Sequence, residues 1–456
     1  MWIKENMINQ RGDKIAIVEQ SGQIYTYESL FNDIEEFKKK IQNKDKQLIL
    51  VLAENNYQSI VAYLAALQNE DSVMLINAEL ESNLVKNIID SYQPAIIFGD
   101  YYHPEYQEVD KFLRKRQQST SYKIHKDLAL LLSTSGTTGS IKFVRLSYKN
   151  LVANADSIVQ YLNISEEDRG LANLPIHYSY GLSIINSHLS AGSTILLTND
   201  SVLSKNFWHF VKNEKATSFA GVPYTYQMLY RIGFHKMEFP HLRYFTQAGG
   251  RLSENLVLLF GEYAKRNKKR FYVMYGQTEA TARISFVPPE ILLEKPMSIG
   301  KPIPGGDLEL DPDTNELIYS GPNVMLGYAR DYKDLDRGDE LNGILNTGDI
   351  ADTDDEGYYY IKGRKKRFIK LFGLRLNLDD IEKQLEKVLQ TFVGCVGTDE
   401  KMIVVTDNPE IKENIENLIQ SLYKLHKSSF RVKIIEEFPR LANGKLNYEV
   451  IKELVL

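Results

Sequence analysis

The chain carries a single cysteine, Cys395, among 456 residues. One thiol excludes an intramolecular disulfide and a cysteine-built metal site. Its place in an apolar stretch, residues 391–396, predicts a small core residue in a reducing compartment. No apolar run approaches the ~18 residues a spanning helix needs. The first eighteen residues mix Lys, Glu, Asn and Arg. Neither a signal peptide nor a membrane anchor is therefore expected, and the protein is expected in the cytoplasm with no membrane partner. An excess of one charge is also missing, since 55 Lys and Arg stand against 60 Asp and Glu, a net −5. With no global basic field there is no nucleic-acid partner to expect, and small molecules are the better partners.

What is present is ordinary for a globular chain: 43% hydrophobic and 25% charged residues exclude disorder, collagen and coiled coil. At one domain per ~150 residues, the length allows about three lobes. Short β-branched runs at 48–52, 72–76, 95–98 and 193–197 alternate with helical patterns, which predicts an α/β fold of parallel-rich sheets covered by helices. One helix follows Ser147 as N-cap, with Leu151, Val152, Ala155, Ile158, Val159 and Leu162 on one face. Others are predicted at 206–212 and after Pro223. From about Gly305 closely spaced turns predict a small β-rich lobe. After the basic cluster Arg364-Lys365-Lys366-Arg367 comes an α+β segment with a helix at 378–389 and a strand at 402–405. A helix after Pro409, a strand at 431–435 and a terminal helix complete it. The expected domains are 1–365 and 366–456.

The densest chemical signal is Leu130-Leu131-Leu132-Ser133-Thr134-Ser135-Gly136-Thr137-Thr138-Gly139-Ser140-Ile141-Lys142. An apolar strand enters a loop of hydroxyls, glycines and one lysine, a combination suited to phosphate oxygens. A Walker A loop would place Gly-Lys-Ser/Thr here, but Gly139 is followed by Ser140-Ile141-Lys142, so the kinase or GTPase reading fails. Taken alone, a flexible Ser/Thr/Gly surface loop is the alternative.

At these residues the chain resembles the acyl-adenylate-forming superfamily, which holds acyl-CoA synthetases, nonribosomal peptide adenylation domains and luciferases. Its pattern is closest to acyl-CoA synthetases. Tyr275-Gly276-Gln277-Thr278-Glu279 is similar to that family's adenine and magnesium motif, Asn346-Thr347-Gly348-Asp349 to its ribose motif, Gly363 to Gly373 to its hinge segment, and Asn443-Gly444-Lys445 to its catalytic-lysine loop. The resemblance spans essentially the whole chain, in the family's order.

The resemblance implies an AMP-forming acid–thiol ligase using ATP and Mg²⁺, with CoA or a carrier-protein phosphopantetheine as acyl acceptor. Thr134, Ser135, Gly136, Thr137, Thr138 and Lys142 would hold phosphates, and Glu279 would coordinate Mg²⁺, a hard-cation role that suits a carboxylate. Tyr275, with Gly276 and Thr278, would bind adenine beside Gly249 and Gly250. Asp349 would accept from the ribose hydroxyls, assisted by Arg364. Lys445 would meet the negative charge that develops as pyrophosphate leaves. Lys366 would be the pivot of a mobile C-terminal domain, and Gly373 would line the thiol channel.

The acyl pocket would include Tyr178, Ala280 and Arg283, with His177 orienting the carboxylate. An acid that pairs with a substrate ammonium in amino-acid-activating relatives is replaced by Tyr178, which disfavours an α-amino acid. A structural histidine and a surface salt bridge stay open as alternatives for His177 and Arg283, and a solvated basic turn for Lys366.

Departures from the family pattern include Ile141 and Phe143 in the phosphate loop, Leu378 and Asp380 after the hinge, and Leu441-Ala442-Asn443 before the lysine; all spare the ionic groups. The chain is also shorter than many relatives, which keeps a carrier-protein acceptor in play. The rival readings are a stand-alone adenylation enzyme and a nucleotide-binding relative that no longer catalyses.

Overall fold

The structure, a computed structural model, describes residues 11–118, 122–133, 142–365, 367–371, 374–398, 401–423, 425–441 and 445–455. By internal contacts the chain separates into two compact units, Met1–Asp307 with Tyr319–Leu345, and Leu308–Ile318 with Asn346–Leu456.

The first unit is built on two large sheets. Among the described residues one runs in the order Gly327–Ala329, Phe143–Ser147, Leu128–Ser133, Ser72–Asn77, Leu48–Ala53, Ile96–Phe98, Leu113–Arg116 and Tyr106–Asp110. Its centre is parallel, with Leu48–Ala53 paired to both Ser72–Asn77 and Ile96–Phe98. Every residue of Leu48–Ala53 is buried, as an apolar run covered on both faces should be. The other sheet runs Lys301–Pro302, Ser285–Phe286, Arg270–Tyr275, Tyr244–Gln247, Ser218–Gly221, Arg169–Ala172, Thr194–Leu197, Ile15–Glu19 and Ile24–Thr26. It is parallel from Arg270–Tyr275 to Ile15–Glu19.

The helix Tyr148–Leu162 starts where the sequence places it. Ser147 Oγ accepts from the Asn150 N–H and Asn150 Oδ1 from the Ser147 N–H, a reciprocal box that satisfies two otherwise orphaned donors. Leu151, Ala155, Ile158 and Leu162 are buried, while Val152, expected on the same face, is 36% exposed. The expected α/β architecture is therefore observed. No helix among the described residues is long and apolar enough to cross a membrane.

The second unit holds most of a four-stranded sheet, Asp307–Leu310, Glu316–Ser320, Ile344–Thr353 and Tyr359–Arg364. It also holds the hairpin Phe368–Leu371 with Leu374–Asn377, and a three-stranded sheet Gly394–Gly397, Met402–Thr406 and Phe430–Ile434. Helix Leu378–Leu389 packs against the strand Tyr359–Arg364: Lys383 Nζ donates to the carbonyls of Ile361 at 2.9 Å and Lys362 at 2.6 Å, and Asp379 accepts from the Arg364 N–H. Internal contacts thus group residues 346–365 with the C-terminal segment, whereas the sequence reading closed its first domain at 365. Cys395 is fully buried within this unit, as a small core residue.

A buried guanidinium organises the edge of the first sheet. Arg145 is inaccessible to solvent, and its Nε donates to the Tyr328 carbonyl at 3.2 Å. Its terminal nitrogens reach the carbonyls of Leu326, Arg337 and Gly338 and the carboxylate of Glu340. A Cβ at Gly327 would meet Glu340 Oε2 at 2.2 Å and Arg145 Nη2 at 2.7 Å, and its φ of +137° excludes most side chains. Removing the guanidinium strands several buried acceptors at once. Arg145→Met is expected to cost about 3 kcal/mol in urea unfolding; a loss below about 1 kcal/mol would contradict this account of the edge.

Candidate active site

The hairpin that carries the adenine and magnesium motif is shaped by close backbone approach. Strand Arg270–Tyr275 leads into the turn Thr278–Ala280 and returns as Ser285–Phe286, with Tyr275 opposite Ser285. A Cβ at Gly276 would lie 1.9 Å from the Ala282 carbonyl oxygen, so the motif's glycine is a steric requirement of the hairpin. Thr281 sits at φ +64°, a strained conformation for a β-branched residue. Its hydroxyl donates to the Asn323 carbonyl at 2.7 Å. Asn323 also donates to the carbonyls of Ala280 at 2.9 Å and Arg283 at 2.8 Å. That clamp holds both ends of the turn between Glu279 and Arg283.

Glu279 is partly buried, and its Oε1 accepts from the Tyr328 hydroxyl at 2.9 Å. Lys142 Nζ lies 3.4 Å from the centroid of the same ring, within cation–π range. One tyrosine therefore touches the cation at the end of the phosphate loop and the carboxylate of the magnesium motif. Burial and the neighbouring Glu279 charge hold the Tyr328 phenol well above its usual range, so it stays a donor. Tyr328 reaches this place because Gly327–Ala329 pairs antiparallel with Phe143–Ser147, with Tyr328 opposite Val144. Sequence reasoning missed Tyr328, because nothing local in Gly327-Tyr328 points to residues 142 and 279.

Among the described residues no three His, Cys, Asp or Glu converge on a metal site. A lone carboxylate with one oxygen engaged suits Mg²⁺, which typically takes one or two carboxylates and completes its shell with water and substrate phosphate oxygens.

The residues expected at the acyl pocket stand among tyrosines. The loop 174–178 is pinned by Asn55, which donates to the Leu174 carbonyl at 3.0 Å and accepts from the Ile176 N–H at 2.9 Å. His177 is hydrogen-bonded to the Ala53 carbonyl, and burial lowers its imidazole to about 4, so it is neutral near pH 7. Ser179 Oγ and Thr278 Oγ1 lie 3.2 Å apart, and Tyr180 meets Thr246 at 2.7 Å through their hydroxyls. Tyr178 and Tyr180 pack edge to face at 6.2 Å, and burial raises the Tyr178 phenol to about 12. Arg283 is 2% exposed with its guanidinium 4.2 Å from the Tyr180 ring centroid. The surface salt bridge open as an alternative for it is thus excluded by burial.

Ala280 is fully buried, and Tyr275 is half-buried with its hydroxyl accepting from Gln277 Nε2 at 3.1 Å. Gly249 and Gly250 follow the strand Tyr244–Gln247, where Gln247 Nε2 donates to the Gly250 carbonyl at 2.8 Å.

In the second unit, Asp349 is 3% exposed inside the strand Ile344–Thr353. It lies opposite Arg364 in register, with Arg364 Nε 3.2 Å from its Oδ1. A turn residue would be solvated, and Asp349 is not. Lys445 is partly buried beside the bridge of Arg440 to Leu446, and its carbonyl accepts from the Leu441 N–H at 2.8 Å. Arg367, in the basic cluster, is not solvated: it pairs with Asp379, reaches Glu382 at 2.8 Å and stacks 3.8 Å from the Tyr448 centroid. Thr134, Ser135, Gly136, Thr137, Thr138, Lys366 and Gly373 lie outside the described residues.

With this geometry in place, the family described as AMP-binding enzyme matches residues 4–329. The chain is 25% identical to the 2-succinylbenzoate–CoA ligase of Staphylococcus aureus over 96% of each protein. It is 26% identical to that of Staphylococcus epidermidis over 99% of this chain and 97% of the relative. Its fold is similar to that of o-succinylbenzoate CoA synthetase from Bacillus subtilis in complex with the acyl-adenylate intermediate, with a TM-score of 0.80, 21% identity and coverage of 99% and 97%. It is also similar to the anthranilate CoA ligase solved with anthranoyl-AMP, with a TM-score of 0.78, 17% identity and coverage of 99% and 96%. The match over residues 4–329, together with the ordered motifs, establishes that the chain belongs to the AMP-binding enzyme family.

Proposed function

We propose that this protein is an AMP-forming carboxylate–CoA ligase acting in the cytoplasm on a small carboxylic acid. The observation that carries the reading is the contact chain from Lys142 through Tyr328 to Glu279, which gathers a phosphate-binding cation and a metal-binding carboxylate on one ring. Free CoA is the favoured acceptor over a carrier protein, because relatives matched along nearly their full length are named CoA ligases.

In the first step a substrate carboxylate oxygen attacks the α-phosphorus of ATP, and the bond to pyrophosphate breaks. Glu279 would hold Mg²⁺, which would supply charge neutralisation for the leaving phosphates. Lys142 and the loop hydroxyls orient those phosphates, and Asp349 with Arg364 holds the ribose. The Lys445 ammonium stabilises charge between the carboxylate and the bridging oxygen. His177, neutral, hydrogen-bonds and orients the carboxylate. In the second step the CoA sulfur attacks the acyl carbonyl, the bond to AMP breaks, and the thiol proton is released. Lys366 would serve as the pivot of the C-terminal segment between the two steps, and Gly373 would line the thiol channel.

Three measurements test these assignments. Lys445→Ala is expected to lower pyrophosphate exchange by 10² or more while largely sparing thioester formation from supplied acyl-AMP; equal loss of both half-reactions contradicts the division of labour. Tyr328→Phe keeps the ring under Lys142 but releases Glu279, so the Mg²⁺ concentration for half-maximal activity should rise about tenfold, and an unchanged Mg²⁺ dependence counts against the contact chain.

The third concerns pH. The folded His177 value, about 4, lies below the reference of 6.5, so between these values the unfolded chain binds more protons. The stability this group contributes is complete above about pH 6.5 and is lost as pH falls toward 4. Wild type should lose on the order of 2 kcal/mol more than His177→Gln across that interval, measured by urea unfolding at several pH values. Parallel profiles would exclude a buried neutral imidazole.

A further inference from the structure

The second unit buries an ionic cluster that the proposed reaction leaves unused. Arg367 donates to the Glu382 carboxylate at 2.8 and 3.2 Å and to the Cys395 carbonyl at 2.7 Å, and it pairs with Asp379. Glu382 is 9% exposed and accepts two further donors: the Cys395 N–H at 2.6 Å on Oε1 and the Tyr448 hydroxyl at 3.0 Å on Oε2. The Tyr448 ring also covers Arg367, its centroid 3.8 Å from the guanidinium carbon, within cation–π range. Burial and the Glu382 charge hold the Tyr448 phenol well above its usual range, so it stays a donor.

A buried ion cluster is a poor source of stability, because well-packed apolar residues of similar volume often do as well; its best-attested use is to fix a register. What this one registers is visible in the backbone. Tyr448 opens the helix Tyr448–Val455, whose Ile451 and Val455 join an apolar cluster with Val396, Ile403 and Val405. Just before that helix, residues 445–447 run beside 439–441. The Lys445 carbonyl accepts from the Leu441 N–H at 2.8 Å, Leu446 bridges to Arg440, and the Asn447 N–H donates to the Pro439 carbonyl at 2.9 Å. Apolar contacts are non-directional, whereas a hydrogen bond fixes distance and angle. The bond from Tyr448 to Glu382 therefore sets where this paired segment, with Lys445 in it, stands relative to Arg367.

We propose that Tyr448 is a positioning residue: through its hydroxyl bond to Glu382 it sets the backbone that carries Lys445, so that adenylation depends on this bond and thiol transfer does not. The inference rests on the ligase reading, in which Lys445 acts only in the first step. A charge displaced slightly from the reacting atoms costs rate steeply, so loss of the hydroxyl is felt in one half-reaction.

The test is made on the full-length protein with Tyr448→Phe, which keeps the ring over Arg367 and removes the tether, and with Glu382→Gln as a second variant. Thermal unfolding verifies that both are folded. The acid is whichever of a panel of aryl and aliphatic carboxylic acids gives wild type the fastest AMP formation. Tyr448→Phe should lower pyrophosphate exchange about tenfold and spare thioester formation from supplied acyl-AMP. Amide hydrogen exchange at Leu441 and Asn447 should quicken about tenfold, with the strand Met402–Thr406 unchanged as internal reference. Glu382→Gln should show the same split. Equal loss of both half-reactions, or unaltered exchange at Leu441 and Asn447 in both variants, overturns the assignment. Wild-type turnover that Tyr448→Phe leaves unchanged overturns it too and leaves the ligase reading standing. Faster exchange at those two amides, with no AMP formed by wild type from any acid, overturns the ligase reading and leaves the tether standing.

Discussion

A guanidinium with no access to solvent, that of Arg145, is the constraint on which an edge of the first unit's sheet depends. Burying it is tolerable only because carbonyls from residues 326, 328, 337 and 338 and the Glu340 carboxylate surround it. Meeting that demand draws the segment 326–340 onto the strand Phe143–Ser147. The strand Gly327–Ala329 then pairs antiparallel with the strand that starts at Phe143, although they lie far apart in the chain. Tyr328 is delivered by this pairing, and through it Lys142 and Glu279 come to share one ring. A structural charge therefore positions the two ionic groups to which the proposed function assigns phosphate and metal binding.

The second unit repeats the pattern with different residues. Arg367 is enclosed by Asp379, Glu382, the Cys395 carbonyl and the face of Tyr448, whose hydroxyl donates to Glu382 at 3.0 Å. Arg367 directly follows Lys366, and Tyr448 stands three residues beyond Lys445. These contacts thus tie the start of the C-terminal segment to the helix that begins at Tyr448. Asp349 gains its orientation in another way, by standing opposite Arg364 across an antiparallel pair.

Much of the fold and the ordered motifs were legible because both are local. Ser147 caps its helix through contacts three residues away, and the apolar run at 48–52 read as a strand, which the structure buries throughout as Leu48–Ala53. Glu279, Asp349 and Lys445 were picked out because they stand in short motifs whose residue types suit phosphate, ribose and developing charge. Tyr328 and Arg145 were not legible, since their meaning lies in partners that no local pattern encodes. Arg283 was only half legible: its spacing from Glu279 pointed toward the pocket, but a surface salt bridge remained equally compatible until burial was known. The enclosure of Arg367 was not legible either, since Glu382, Cys395 and Tyr448 lie outside any local pattern.

The sequence by itself determined the α/β architecture, the ionic groups and their order, because periodicity, capping and short motifs act over a few residues. Only the tertiary structure decided which charges are buried and what they face. Burial and pairing arise from strands and turns that meet across long stretches of chain, and the cost of an unpaired charge depends on that environment. It separates Arg145 and Arg367, enclosed by carbonyls and carboxylates, from Arg283, which is buried against the Tyr180 ring.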